Sequence, residues 1–418
     1  MRKSVLLSIV PIAAAIFFAS IAAAQVIVLN RATVIDGSGA PPQKDFTVVM
    51  ENGRIRDLGP SSKIKAPAGA TVIDLTGKFI VPGSINAHGH VGENSEPQLR
   101  QYALYGVTTA TSMQTDPDEV VQVREAQKKG VLRGARVSTV KHRFAPDPEI
   151  ATPEQGRAKV DEIVAAGADY IKVWVDSGFG TRAKLSAEFC AAVLEQARKL
   201  GKRTLGHAYE MVDARMLIEG GLNILGHNVR DREVDAEFIA LAKKHDVTLT
   251  PTLIRDEFLF AYGDSPAWIE DPFFHRFLSA AQMTALRTKV RELQAKHPQR
   301  DLFKAGFEMN KINLKKLADG GVRIALGTDS GGAPSRFLVQ GFSEHREMEL
   351  MVQSGLTPMQ VIQSFSKSAS ESLGIAKDFG TLAKGKAADL LVLDKNPLEN
   401  ITHMRAIHTI YLGGKKFA

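Results

Sequence analysis

The chain has 418 residues, enough for one large α/β barrel with a small second domain. Its composition, 44% hydrophobic and 24% charged, is that of an ordinary globular protein and argues against disorder. The formal charge of +7 comes without a long Lys/Arg run, so it reads as general surface charge and not as a nucleic-acid footprint.

Residues 1–24 stand apart. A basic start with Arg2 and Lys3 leads into an apolar run over residues 5–21, then into Ala22-Ala23-Ala24 before Gln25. This is the pattern of a cleaved secretory signal peptide. A retained anchor is the alternative, because the run approaches spanning length. Cleavage lowers the formal charge from +7 to +5 and implies a periplasmic or secreted protein with no membrane attachment. The single cysteine, Cys190, lies in a helical pattern and leaves no internal disulfide.

Short β patterns follow over residues 26–30, 33–36, 46–55 and 71–75, with Asn52-Gly53 marking a hairpin turn. From Ile80 the pattern changes to strands alternating with amphipathic helices, which predicts parallel βα units. Strands are predicted at 80–87, 107–113, 135–140, 170–175, 203–206, 222–225, 247–252 and 322–327. Eight strands with intervening helices predict a (β/α)8 barrel over residues 80–375. The long gap before the eighth strand predicts an inserted helical lid at about 253–320, whose aromatics around Phe258, Trp268 and Phe273 are read as packing. Thr357 and Pro358 mark the start of a helix over 357–373. The strand patterns at 388–393 and 407–414 predict that residues 376–418 join residues 25–79 in one β-sandwich domain.

The ends of the predicted barrel strands carry the chemistry. His88 and His90 alternate by two, so both imidazoles reach one point beyond the first strand. That geometry suits a divalent metal, or else two hydrogen-bonded loop histidines. Lys172 interrupts the fourth strand, His207 ends the fifth, His227 the sixth, and Asp329 the eighth in Gly327-Thr328-Asp329. Four of eleven histidines at such positions argue for one site. A lysine in an apolar strand is costly to bury as a cation. It is either ion-paired or a neutral amine that has taken up carbon dioxide to give a carbamate ligand. Asp329 is either a turn carboxylate capping the next helix or a metal-bound acid–base group. Tyr209 and Arg230 follow the fifth and sixth strands and are candidates to hold a substrate carbonyl or carboxylate, with surface pairing of Arg230 to Asp231 as the alternative.

This set, together with the late Gly385-Lys-Ala-Ala-Asp389-Leu motif, resembles the amidohydrolase superfamily, in its branch related to imidazolonepropionases and prolidase-like dipeptidases. The resemblance covers nearly all of the chain after residue 24. It implies two divalent metal ions, zinc the expected one. His88, His90 and Asp329 would hold the more buried ion and His207 and His227 the other, with carboxylated Lys172 bridging. It further implies hydrolysis of carbon–nitrogen bonds in small substrates such as dipeptides or N-acyl amino acids, with a bridging hydroxide as nucleophile and Asp329 as general base and acid. A homo-oligomer is also implied. The rival activities are a one-metal deaminase of a heterocycle that uses Glu210 as acid, and a lactonase. A non-catalytic binding protein would be expected to have lost part of this set.

Overall fold

In the computed structural model, which describes residues 26–331 and 337–418, the two ends of the chain share one sheet. Its order is Lys415–Lys416, Ile407–Leu412, Leu390–Leu393, Phe79–Pro82, Ile27–Val34, Gln43–Glu51 and Arg54–Pro60, with Thr71–Asp74 laid parallel to Ile27–Val34. Leu29, Val34, Val48, Met50, Ile80, Leu390 and Tyr411 project into one apolar cluster between its strands. Asn52 and Gly53 turn the hairpin with φ of 50° and 77°. Two successive left-handed residues give the turn whose twist matches the flanking strands.

The predicted first barrel strand over 80–87 is two strands. Phe79–Pro82 belongs to the end sheet, and Ser84–Gly89 begins the parallel system. The hydrogen-bond partner changes between them: Gly83 N–H donates to Asp389 O, Ser84 N–H to Gly106 O. Pro82 has no N–H to continue the first ladder. A continuous apolar run hides that change of partner from the sequence.

All other ladders outside the end sheet are parallel. Ser84–Gly89, Val107–Ser112 and Arg136–Thr139 form one sheet. Arg143–Phe144, Ile171–Val175, Thr204–Ala208, Ile224–Gly226, Thr248–Thr250 and Arg323–Ile324 form the other, in that order. Hydrogen bonds join the sheets on both sides. Asp169 N–H donates to Thr139 O at 2.8 Å, and Ala87 N–H donates to Leu326 O at 2.9 Å.

Helices connect the strands and cover them. Ala187–Lys199 is representative. Ser186 caps it by accepting from Phe189 N–H, and Phe189, Cys190, Val193, Leu194 and Ala197 fall on its buried face. Each large side chain of that face contributes about 1.5–3 kcal/mol by leaving water. The segment before the last parallel strand is helical, ending in the long helix Arg300–Asp319. Phe258, Tyr262, Trp268 and Phe274 pack on one another and on Phe342. Thr357 caps the helix Pro358–Gln363 with a reciprocal Gln360 bond. Beyond it the turn widens over Ser364–Ser368, so the predicted single helix is interrupted. The apolar segment at 1–24 lies outside the described residues. Among the described residues no helix is long and apolar enough to cross a membrane.

Candidate metal centre

His88 and His90 stand where the strand Ser84–Gly89 ends, beside the turn that carries Asp329. Thr328 N–H and Asp329 N–H both donate to His88 O, at 2.9 and 2.7 Å. Those bonds pin the first and last strands together, and Asp329 adopts φ 58° there. His88 occupies space that two glycines leave open. A Cβ on Gly226 would lie 2.5 Å from His88 Cε1, and one on Gly327 2.7 Å from His88 Cβ. Either substitution would drive the imidazole out of the centre.

The structure brings His88, His90, Lys172, His207, His227 and Asp329 to one cavity of about 760 Å³. His90 Nε2 is 2.7 Å and His88 Nε2 3.4 Å from Asp329 Oδ1. The His88 and His227 ring centroids are 4.7 Å apart, those of His207 and His227 4.3 Å. Lys172 Nζ lies 3.1 Å from His88 Nε2. The other ring nitrogens are fixed by neighbours: Thr250 Oγ1 on His88 Nδ1 at 3.3 Å, Thr252 Oγ1 on His227 Nδ1 at 2.6 Å, and Asp176 Oδ2 on His207 Nε2 at 2.8 Å.

Burial sets the charges. It lowers His88 and His207 to about 3, and His227 well below its ordinary value, so all three rings are neutral. Lys172 falls to about 7, again chiefly through burial, which brings the neutral amine within reach. Burial pushes the Asp329 carboxyl up, but His90, His88 and His227 overcome it and hold the group well below the usual carboxylate range. Neutral imidazoles converging on an ionised carboxylate are the protonation states that metal binding needs. His88, His90 and Asp329 offer ligand atoms within 4.8 Å of one another. Among the described residues, His90 Nδ1 is buried without a hydrogen-bond partner. These residues fit a divalent cation.

The substrate candidates Tyr209 and Arg230 both line the cavity. Arg230 is 3% exposed; its Nη atoms donate to Asp256 at 2.8 Å and to Ala208 O, while among the described residues its Nε has no partner. Its partner is therefore Asp256, while Asp231 accepts from Met211 N–H and pairs with Arg232. The Arg230 guanidinium lies 4.7 Å from the Tyr209 ring centroid, so it supports that ring from beneath. Glu210 accepts from Ser177 Oγ at 2.8 Å and Lys184 Nζ at 3.2 Å and does not line the cavity. His345 is buried and bonded to Tyr105 O, a packing role.

Three polar residues of the cavity or its support escaped the sequence reading. Asp176 orients His207. Arg255 Nε is 3.8 Å from Asp329 Oδ2 while its Nη1 pairs with Asp256. Glu344 accepts from Asn86, Thr328 and Ser330, and so ties the strand of His88 to both neighbours of Asp329. Only Asp176 left a usable signal: it sits four residues after Lys172, on the same face of the strand by alternation.

Comparison with known proteins agrees with this geometry. A dihydroorotase from Pelobacter propionicus is 23% identical over 407 residues, covering 88% of this chain and 89% of its own length. An imidazolonepropionase from Sphingopyxis alaskensis is 24% identical over 381 residues, 84% of this chain and 86% of its own. The crystal structure of a Xaa-Pro dipeptidase with methionine in its active site superposes with a TM-score of 0.76 at 21% identity, over 94% of this chain and 99% of that one. The sequence pattern of the amidohydrolase family matches residues 79–416. The chain thus belongs to the amidohydrolase family and is a hydrolase of carbon–nitrogen bonds.

Proposed function

We propose that this enzyme cleaves amide or peptide bonds of small substrates, dipeptides or N-acyl amino acids, at a two-metal centre bridged by carboxylated Lys172. The observation that carries the reading is the setting of Lys172. It is 2% exposed, and among the described residues its Nζ has one hydrogen-bonding neighbour, the His88 ring. A buried ammonium without a paired carboxylate is expensive. A carbamate formed from the amine and carbon dioxide would instead present oxygens to cations held by the surrounding imidazoles.

His88, His90 and Asp329 would hold one ion, His207 and His227 the other, with the parallel strands closed as a (β/α)8 barrel around them and the end sheet folded as a β-sandwich. Two divalent ions, zinc the expected pair, would polarise the scissile carbonyl and lower the pKa of a water towards roughly 7. Asp329, kept ionised, accepts a proton from the attacking water and returns it to the departing nitrogen. Arg255 orients that carboxylate. The Tyr209 hydroxyl, braced by Arg230, holds the substrate carbonyl. Asp176 fixes the His207 ring. The deaminase alternative needs Glu210 at the reacting group, and that carboxylate faces Ser177 and Lys184 instead.

Metal content per chain tests the reading. Two ions are expected in the wild type and fewer in Lys172→Ala, with partial recovery on adding a short carboxylate. One ion in both proteins would overturn it. We also propose export, with cleavage before Gln25. Amino-terminal sequencing of the protein from the periplasmic fraction checks this, and a start at Met1 refutes it.

A further inference from the structure

We propose that Thr252 is a positioning residue for the second ion, and that Glu347 is what releases it for that task. The Thr252 hydroxyl fixes the ring of His227. The Glu347 carboxylate meanwhile does the capping that a threonine in this place would otherwise do. This rests on the two-metal reading and assigns the residues that set one half of it.

Thr252 stands directly before the short helix Leu253–Glu257, where a threonine ordinarily caps. A cap needs an extended backbone, so that the side-chain oxygen turns back onto the first free N–H groups. Thr152 and Thr357 do this in the same chain, with φ of −96° and −73°, accepting from Gln155 N–H and Gln360 N–H. Thr252 does not. Its φ is 49°, a left-handed conformation that a β-branched residue seldom adopts, and it makes no cap bond. Its hydroxyl instead lies 2.6 Å from His227 Nδ1. Thr252 and His227 follow neighbouring parallel strands, and His227 N–H donates to Thr250 O at 2.9 Å, so the two strand ends are held in register. With Nδ1–H given to the hydroxyl, Nε2 carries the lone pair that a cation needs.

The helix start that Thr252 leaves bare is served from elsewhere. Glu347 Oε1 accepts from Leu253 N–H at 2.9 Å, and Oε2 from Ile254 N–H at 2.7 Å. Two backbone donors need two accepting oxygens, which a carboxylate has and an amide lacks. Glu347 is fully buried on the helix Phe342–Gln353. Its neighbour Arg346 holds the other end of the short helix through Glu257, at 2.5 and 3.0 Å. A strained residue persists only where its surroundings fix it from both sides. Here the strand Thr248–Thr250 fixes Thr252 from before and the Glu347 grip from behind. Glu344, one turn earlier on the helix of Glu347, ties the strand of His88 to the neighbours of Asp329. One helix thus frames both halves of the centre, Glu344 behind the first and Glu347 behind the second.

The test titrates the full chain, freed of metal, with cobalt(II) and follows its visible absorption in wild type, Thr252→Ala, Thr252→Ser and Glu347→Gln. Wild type is expected to take up two ions. Thr252→Ala should weaken one of them about 10–100-fold, the usual effect of removing a group that orients a ligand, and leave the other unchanged. Thr252→Ser keeps the hydroxyl and should bind both ions as wild type does. Glu347→Gln keeps one accepting oxygen and with it the fold. It should weaken the same ion as Thr252→Ala and add nothing when combined with it, because it acts through that hydroxyl. Unchanged binding in Thr252→Ala, equal weakening of both ions, or a loss that Thr252→Ser shares overturns the inference. If wild type takes up only one cobalt ion, the two-metal reading falls instead. The positioning is then decided without metal, by nitrogen NMR of the histidine rings, with the His227 signals assigned by their loss in His227→Gln. The Nδ1–H tautomer of His227 is expected to dominate in wild type and Thr252→Ser and to lose that dominance in Thr252→Ala. An unchanged tautomer refutes the role of Thr252.

Discussion

Removing the Glu344 carboxylate should cost much of the protein's stability, although it touches no substrate. The side chain is fully buried. Asn86 Nδ2 donates to it at 2.5 Å, Thr328 Oγ1 and Ser330 Oγ each at 2.7 Å, and Gly341 N–H at 2.6 Å. In Glu344→Ala the two hydroxyls can turn; Ser330 Oγ already has Tyr102 at 2.7 Å. Asn86 Nδ2 loses this acceptor but keeps Thr328 Oγ1 at 2.8 Å, whereas the Gly341 N–H cannot turn, and an unsatisfied buried donor costs about 1–3 kcal/mol. Adding the cavity left behind, the variant should lose about 3–6 kcal/mol, a large part of a typical total of 5–15 kcal/mol. Glu344→Gln keeps one accepting oxygen and sets only its amide nitrogen against a donor, so its loss should be near 1–2 kcal/mol. Urea denaturation of the three proteins measures both values. A Glu344→Ala protein within about 1 kcal/mol of wild type would show that water or rearrangement replaces the carboxylate, and the reasoning would fail.

Three further outcomes are expected. Asp329→Asn should retain fold and substrate affinity while kcat falls about 10²–10⁴-fold, as loss of a positioned acid–base group does; steady-state kinetics with a chromogenic amide decides it. Asp256 serves Arg230, Arg255 and Asn310 at once, so Asp256→Ala should destabilise by about 3–5 kcal/mol, more than the loss in Arg230→Ala, where Asp256 keeps two partners; thermal unfolding of both variants reads the order. Burial lowers His345 to about 3, so the folded protein holds this ring neutral while the unfolded chain protonates it near 6.5. Its contribution is therefore complete above about pH 6.5 and is lost as pH falls towards 3, at about 1.4 kcal/mol per unit. The stability difference between wild type and His345→Gln should shrink between pH 7.5 and 5.5, and a constant difference would contradict this assignment.

The residues gathered at the centre were legible because each is a polar interruption at the end of an apolar run. Two-residue alternation placed His88 with His90, and repetition of strand and helix aimed His207, His227 and Asp329 at the same mouth. What stayed hidden depends on contacts between distant parts of the chain. Asn86 and Glu344 bond across 258 positions, and neither has a local pattern that announces a partner. Arg230 seemed matched to its neighbour Asp231, yet the fold hands it Asp256, 26 residues on, because the short helix Leu253–Glu257 starts beneath it. The strand break at Pro82 was invisible because hydropathy does not change when a ladder changes partner.

The bond between His90 and Asp329 joins residues 239 positions apart. Closing so long a stretch of chain carries a large entropic cost, so this contact forms only once the intervening strands have already lined up. In the two-metal reading ion capture would then be a late step: a chain shorter than about 330 residues would carry His88, His90, Lys172, His207 and His227 but lack Asp329. On that reading an unfinished molecule would not hold the ion tightly, and tight uptake would report that the first and last parallel strands have met.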